Sequence, residues 1–241
     1  MMNKLKNGVI LMMNLLALIL LATATPAEAA DPFAELFTRT RICFSHIAIV
    51  DGWQTEIAVI NPTGKAVTGQ LYFYDIQGIQ LGKPADLTLN PNGRREIQVG
   101  PVYGNRGTIE YIIFTAPVYG LKGYSKFYMG DIRASIMASA PQTSGIFTKI
   151  ERQGWTGIAF VNTSAETAHV VLKAFSDNGG EPVALKVMDV VPGAKVVKQA
   201  TEIFAPQSIA GASYVSFTSD QGVVGFFLNG SAGMLDGSKA L

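Results

Sequence analysis

The stretch Gly52-Trp53-Gln54-Thr55-Glu56-Ile57-Ala58-Val59-Ile60-Asn61 returns as Gly154-Trp155-Thr156-Gly157-Ile158-Ala159-Phe160-Val161-Asn162, and this recurrence constrains the whole chain. Trp155 follows Trp53 by 102 residues, and from the asparagines onward the separation settles at 101, as in Leu71 and Leu172, Gly78 and Gly179, Pro91 and Pro192, Tyr103 and Phe204. It widens to 103 at Tyr111 and Tyr214 and at Phe114 and Phe217, then returns to 102 at Gly123 and Gly225, as loop insertions would cause. Turns and strands match alike, which is the mark of a duplication. A period near 100 is too long for a solenoid unit and suits a complete domain. The 241 residues therefore divide into two domains of similar size.

Each copy reads as β structure. From residue 42 onward apolar residues recur with period two, rich in Val, Ile, Phe and Tyr, with turn chemistry every eight to twelve residues, the pattern of a sandwich or barrel. The spacing predicts strands over 44–50, 55–61, 67–74, 87–89, 94–99, 109–115, 120–129 and 132–138 in the first copy. The Asn61-Pro62-Thr63-Gly64, Asp75-Ile76-Gln77-Gly78 and Asn90-Pro91-Asn92-Gly93 turns punctuate them. Residues 100–107 read as a loop, 139–145 as a linker between the copies, and 31–41 as a leader with a helical turn. No helical period is sustained after residue 42. The expectation is an all-β chain of two tandem antiparallel β-sandwiches, at 43–140 and 141–241.

Ahead of them, Lys4 and Lys6, an apolar run over residues 9–22 and the small-residue site Ala27-Glu28-Ala29 read as a signal peptide over 1–29, followed by the leader over 30–42. The run is shorter than the ~20 residues of a permanent span. The expected location is outside the cytoplasm: periplasm, cell surface or extracellular space. Removing residues 1–29 takes two of 19 basic and one of 18 acidic residues, leaving the charges balanced. Balanced charge argues against a nucleic-acid partner, since phosphate contacts need clustered cations. The single Cys43 leaves no internal disulfide to form, so stability falls to the cores. The thiol is expected to be buried or paired between molecules.

Residues able to carry function are few. Trp53 and Trp155 follow glycine at the head of a strand. Each ring has two roles open to it: closing the end of a sandwich, or forming a platform on which a sugar or a partner's side chain stacks. Lys122, Tyr124, Lys126 and Tyr128 form one basic-aromatic strand face near Arg94 and Arg95, either an ordinary solvated face or a contact patch. His46 and His169 do not correspond between copies and lack neighbours at ligand spacing, so no metal site and no cofactor is expected. Cys43 and His46 lie three apart, which on a strand places them on opposite faces. Asn61 and Asn162 are expected to bond their own turns. Nucleophile-elbow, phosphate-loop and zinc-helix motifs are absent, so a non-enzyme is expected; paired acids from the turns at Asp51, Asp75, Asp131, Asp177, Asp220 and Asp236 would be the only catalytic alternative.

With His46-Ile47-Ala48 before it, and Tyr74-Asp75-Ile76-Gln77-Gly78 and Gly123-Tyr124 after it, the 52–61 stretch resembles a repeat of bacterial secreted and surface proteins, built of tandem Ig-like β-sandwich units. The second copy departs from the pattern, with Lys149 in the His position, Gly157 after Thr156 and Ser176 in the Asp position. The resemblance covers residues 44–241 and implies a fold and a compartment, with no catalytic residues. It suggests a structural, adhesive or assembly module that contacts an envelope or surface protein, or another copy of itself. A carbohydrate- or peptidoglycan-binding module is the alternative.

Overall fold

Between residues 67 and 74, Val67, Gly69, Leu71 and Phe73 are buried and the residues between them face outward, which is what a strand with one solvated face requires. The computed structural model, which describes residues 39–241, has a strand with those bounds. In chain order the elements are β1 (Thr40–Phe44), β2 (Gln54–Ile60), β3 (Val67–Tyr74), β4 (Ala85–Leu89), β5 (Arg94–Gln98), the one-turn helix α1 (Val99–Tyr103), β6 (Tyr111–Ala116), β7 (Lys122–Met129) and β8 (Ile132–Met137). There follow β9 (Gln142–Phe147), β10 (Trp155–Asn162), β11 (Ala168–Phe175), β12 (Ala184–Val190), β13 (Lys195–Gln199), the one-turn helix α2 (Ala200–Phe204), β14 (Tyr214–Ser231) and β15 (Met234–Lys239).

The strands form antiparallel sheets. In the first half, β1-β6-β3-β4 and β5-β2-β7-β8 enclose a core that includes Phe44, Ile57, Val59, Leu71, Phe73 and Phe114. In the second half, β12-β11-β14-β10-β13 form one continuous sheet, with β9 and β15 also on β14. The start of β14 pairs with β11 and β9, and its end pairs with β10 and β15, with a register shift between Thr218 and Val223. One bent strand thus serves where the first half uses β6 and β7. There the chain breaks at Pro117, which has no N–H to give a ladder, and turns at Gly120 with φ +93°. The second core stacks Phe147, Phe160, Phe217 and Phe227 with centroids 5.0–6.1 Å apart, the offset and edge-on geometry aromatic rings prefer.

Both strand-ending asparagines fold their turns alike. Asn61 Nδ2 donates to the carbonyls of Lys65 and Asn90, and its Oδ1 accepts from Thr63 N and Oγ1. Asn162 does the same with Glu166, Val190 and Ser164. Both side chains are fully buried, so their amides substitute for the backbone partners a turn lacks.

Several boundaries differ from the sequence expectation. The signal peptide over 1–29 and the leader as far as residue 38 lie outside the described residues. Thr40, Arg41 and Ile42, expected in the leader, are strand: Thr40 is buried, its Oγ1 donating to Val118 O and accepting from Leu121 N. Residues 45–49, expected as strand, are loop. Most of the expected linker is β9, whose small polar residues sit opposite β14 because Gly145 lets Phe217 approach; a Cβ there would lie 2.7 Å from that ring. Helix α1 replaces the expected strand end at Val99 and the start of the expected loop over 100–107. Helix α2 is set by a capping box between Gln199 and Glu202, a local signal that period counting passes over.

A buried seam joins the halves, and residues 39–241 lie in one compact unit. Cys43, Tyr111 and Ile113 pack on Val161 and Val224, while Phe127, Ala134 and Ile136 pack on Ala159 and Phe226. At one end the 75–78 turn meets the turn at Gly193, where a Cβ on Gly78 would come within 2.3 Å of backbone atoms. Tyr111 Oη donates to Gly193 O at 2.6 Å, and Lys195 N donates to Ile76 O at 2.9 Å.

Candidate functional site

The two tryptophans are not equivalent in the fold. Eight residues separate Trp53 from Asn61, but seven separate Trp155 from Asn162. The threonines, in contrast, take matching places: Thr55 Oγ1 accepts from Ala48 N at 2.8 Å, and Thr156 Oγ1 from Glu151 N at 2.7 Å. Trp155 therefore enters its strand one residue deeper than Trp53 does. Because strand side chains alternate, that single step sends it to the opposite face.

Trp53 precedes β2 and is half-buried, 6.1 Å from Phe127 in the seam cluster. Trp155 pairs with Gly230 across the ladder, and its ring lies flat on the strands. A Cβ on Gly230 would come within 2.3 Å of Cε2, and one on Gly157 within 3.3 Å of Cζ3, so two missing side chains make its bed. The ring remains 43% exposed. Both tryptophans line one apolar groove of about 550 Å³, closed by His46, Phe127, Leu228 and the 230–235 hairpin tip. That volume lies within the ~300–1,000 Å³ of small-molecule sites.

Beside it, sharing Ile132 and the hairpin tip, is a polar cleft of about 370 Å³ walled by Asp131, Arg133, Lys149, Glu151 and Asp236. Asn229 also lines it. Its Oδ1 accepts from Thr156 Oγ1 at 2.7 Å, while Nδ2 is buried with no protein partner. A buried donor left unpaired costs about 1–3 kcal/mol. Glu151 accepts from Lys149 Nζ at 2.7 Å and from Gln153 N at 3.1 Å. The lysine, and then the backbone N–H, hold its carboxyl below the usual range.

Lys195, which the sequence did not mark, anchors the seam behind the groove. Its side chain is fully buried, and Nζ donates to Glu110 Oε2 at 2.9 Å and Glu110 O at 3.0 Å, and lies 3.3 Å from His46 Nδ1. Burial lowers its pKa, with the Glu110 charge opposing. Burial, then the Lys195 charge, push His46 down to about 3, so it is neutral and accepts at Nδ1. Cys43 is free and buried, and burial pushes its thiol up to about 12. An intermolecular disulfide there would require β1 to leave its sheet.

Lys122, Tyr124, Lys126 and Tyr128 share the face of β7 opposite to Phe127, which lines the groove, so they lie behind that wall and not in it. Their charges are largely answered within the sheet: Lys126 Nζ is 3.6 Å from Glu56 Oε2, Tyr128 Oη donates to Gln98 Oε1, and Arg94 bonds both Glu96 and Tyr124. By ladder position these four correspond to Val224, Phe226, Leu228 and Gly230 on β14, which face the seam and the groove. His169 is exposed and bonds Asp189 at 2.7 Å, which raises its pKa. Among the described residues no cluster of three or more His, Cys, Asp or Glu could hold a metal, and no helix is long and apolar enough to cross a membrane.

The missed residues differ in legibility. The eight-against-seven spacing could have separated the tryptophans. Nothing local marks Lys195, Glu110 or Asn229, because their burial is created by strands far away in sequence.

No family model matches the chain, and neither does any curated protein. Among solved structures it is similar to Thermotoga maritima 1070, at 15% identity and TM-score 0.35 over 42% of this chain and 94% of that one. The Anabaena sensory rhodopsin transducer aligns at 17% identity and TM-score 0.30, over 36% and 95%. A Parabacteroides distasonis protein described as secreted aligns at 10% identity and TM-score 0.24, over 75% and 69%.

Proposed function

We propose that the chain is an exported, non-catalytic module of two tandem Ig-like β-sandwich units that acts by contact with the cell envelope, and that the tryptophan groove is the contact site. The observation that carries this is the placement of Trp155. A large ring held flat with one face free is a surface for stacking, and a ring serving only the fold would be covered. Non-catalysis follows the sequence expectation, which finds no nucleophile-elbow, phosphate-loop or zinc-helix motif.

The test is co-sedimentation of purified protein with the insoluble envelope fraction. The wild type is expected to pellet and Trp155→Ala to stay in solution, while circular dichroism and melting temperature match. Equal pelleting of both would remove the groove as the contact site; a wild type that stays in solution would remove the contact module.

A further inference from the structure

We infer that the outer face of the β12-β11-β14-β9 sheet pairs with the same face of a second copy about a two-fold axis, closing a dimer through the second half. This goes beyond the envelope contact proposed above, since Trp155 lies at the other end of β14.

The first half already uses its matching face as an interface. There the sheet β4-β3-β6-β1 carries Cys43, Tyr72, Tyr74, Tyr111 and Ile113, which pack on Val161 and Val224 of the second half. By ladder position the second half sets Ile146, Lys173, Phe175, Tyr214 and Ser216 in the same five places. The stacked pair is kept: Tyr74 and Tyr111 lie 4.9 Å apart at 7°, Phe175 and Tyr214 5.2 Å apart at 15°. In the first half this face is buried in the seam, whereas in the second Ile146 is exposed. The rungs beyond the seam differ further. Where the first half shows water Gln70 and Asp86, joined at 3.2 Å, the second has Val171 and Val187. Leu185 stands on the same face, 44% exposed, and Val187 is 52% exposed. Adjoining apolar side chains left exposed within a polar rim mark an interaction surface. Ser144, Ser216 and Thr218 keep the rest of the face low, so a second sheet can approach it.

The charges fix the occupant. Along β11 the face runs His169, Val171, Lys173, which places a cation two residues to one side of Val171. Two residues to the other side, His169 is flanked by Asp189 at 2.7 Å and Asp220 at 3.9 Å. A two-fold axis laid along the Val171–Val187 rung reverses the strand direction, so it sets Lys173 of each copy against the Asp189 and Asp220 cluster of the other. The four valines meet between these charges. A head-to-tail repeat of the seam would instead set this face against Lys122, Tyr124 and Lys126 of β7, the last two engaged with Glu56. Same-face pairing leaves those groups in water.

Sedimentation equilibrium of the purified protein tests this. The wild type is expected to form a dimer as concentration rises. Val187→Asp should weaken that association roughly tenfold, with its melting temperature unchanged. Lys173→Glu and Asp189→Lys should each weaken it to a similar degree, because each homodimer then opposes like charges. An equal mixture of these two variants should recover the wild-type association, since in a mixed pair both contacts again join opposite charges. A wild type that stays monomeric at every concentration overturns the inference, as does a dimer indifferent to Val187→Asp. If Val187→Asp does not fold, the two charge variants decide in its place. Weakening by both without recovery on mixing overturns the two-fold arrangement, and assembly beyond the dimer overturns its closure.

Discussion

The two histidines experience opposite fields. His46 faces the Lys195 ammonium in the seam and is neutral with its pKa near 3, whereas His169 is exposed beside Asp189 and Asp220, which raise its pKa above 6.5. A proton-NMR titration should therefore show one midpoint above 6.5 and one ring that does not titrate down to about pH 4. A His46 midpoint near 6 would mean the seam is not packed as described. The sign follows from linkage. His46 binds a proton in the unfolded chain below pH 6.5 but not in the folded one, so stability falls as pH drops from 6.5 towards 3. His169 has the reverse sign, contributing below pH 6.5 and losing that contribution as pH rises through its raised value, but its exposure keeps the effect small. The buried Cys43 belongs at this scale too: in folded protein it should react with a thiol reagent only as fast as the protein opens, and rapid labelling would place it at the surface.

At the scale of the element, β10 and β14 hold Trp155 by what Gly157 and Gly230 lack. Gly230→Ala puts a methyl inside the ring's position, and the ring, exposed on its other face, swings outward. The expected cost in stability is within about 1 kcal/mol, with a red shift of tryptophan emission and loss of envelope binding. A ring that keeps its emission would show that the bed is not formed there. Strand β3 and the Asn61 and Asn162 turns were legible because period-two alternation and side-chain-to-turn bonding are local. Strand β9 was not, since its pairing depends on a close approach at Gly145 that composition reads as flexible linker. Of the candidate site, Trp53 and Trp155 were visible as residues, but their convergence was not. It arises from a one-residue change in spacing, and from a hairpin at 230–235 that lies some 75 positions further on.

Across the whole molecule, the seam decides how the halves unfold. Lys195 is wholly buried and Glu110 a quarter exposed, so losing the acid is the worse change. Glu110→Gln leaves an ammonium buried without a counter-charge and should cost about 3–5 kcal/mol, whereas Lys195→Met removes the charge and should cost less. Urea unfolding measures both. The wild type should unfold in one transition and Glu110→Gln in two, the halves separating first; if Lys195→Met is the more damaging, the seam does not depend on this pair.

The outer face of β7 bears on how far such stacking can run. Where β14 offers Val224, Phe226 and Leu228 to a neighbouring half, the same rungs of β7 carry Lys122, Tyr124 and Lys126, the last two engaged with Glu56. A further unit docking there would have to strip water from charges that gain nothing in return. The polar face therefore works as an end-cap, as the outermost repeat of an array does.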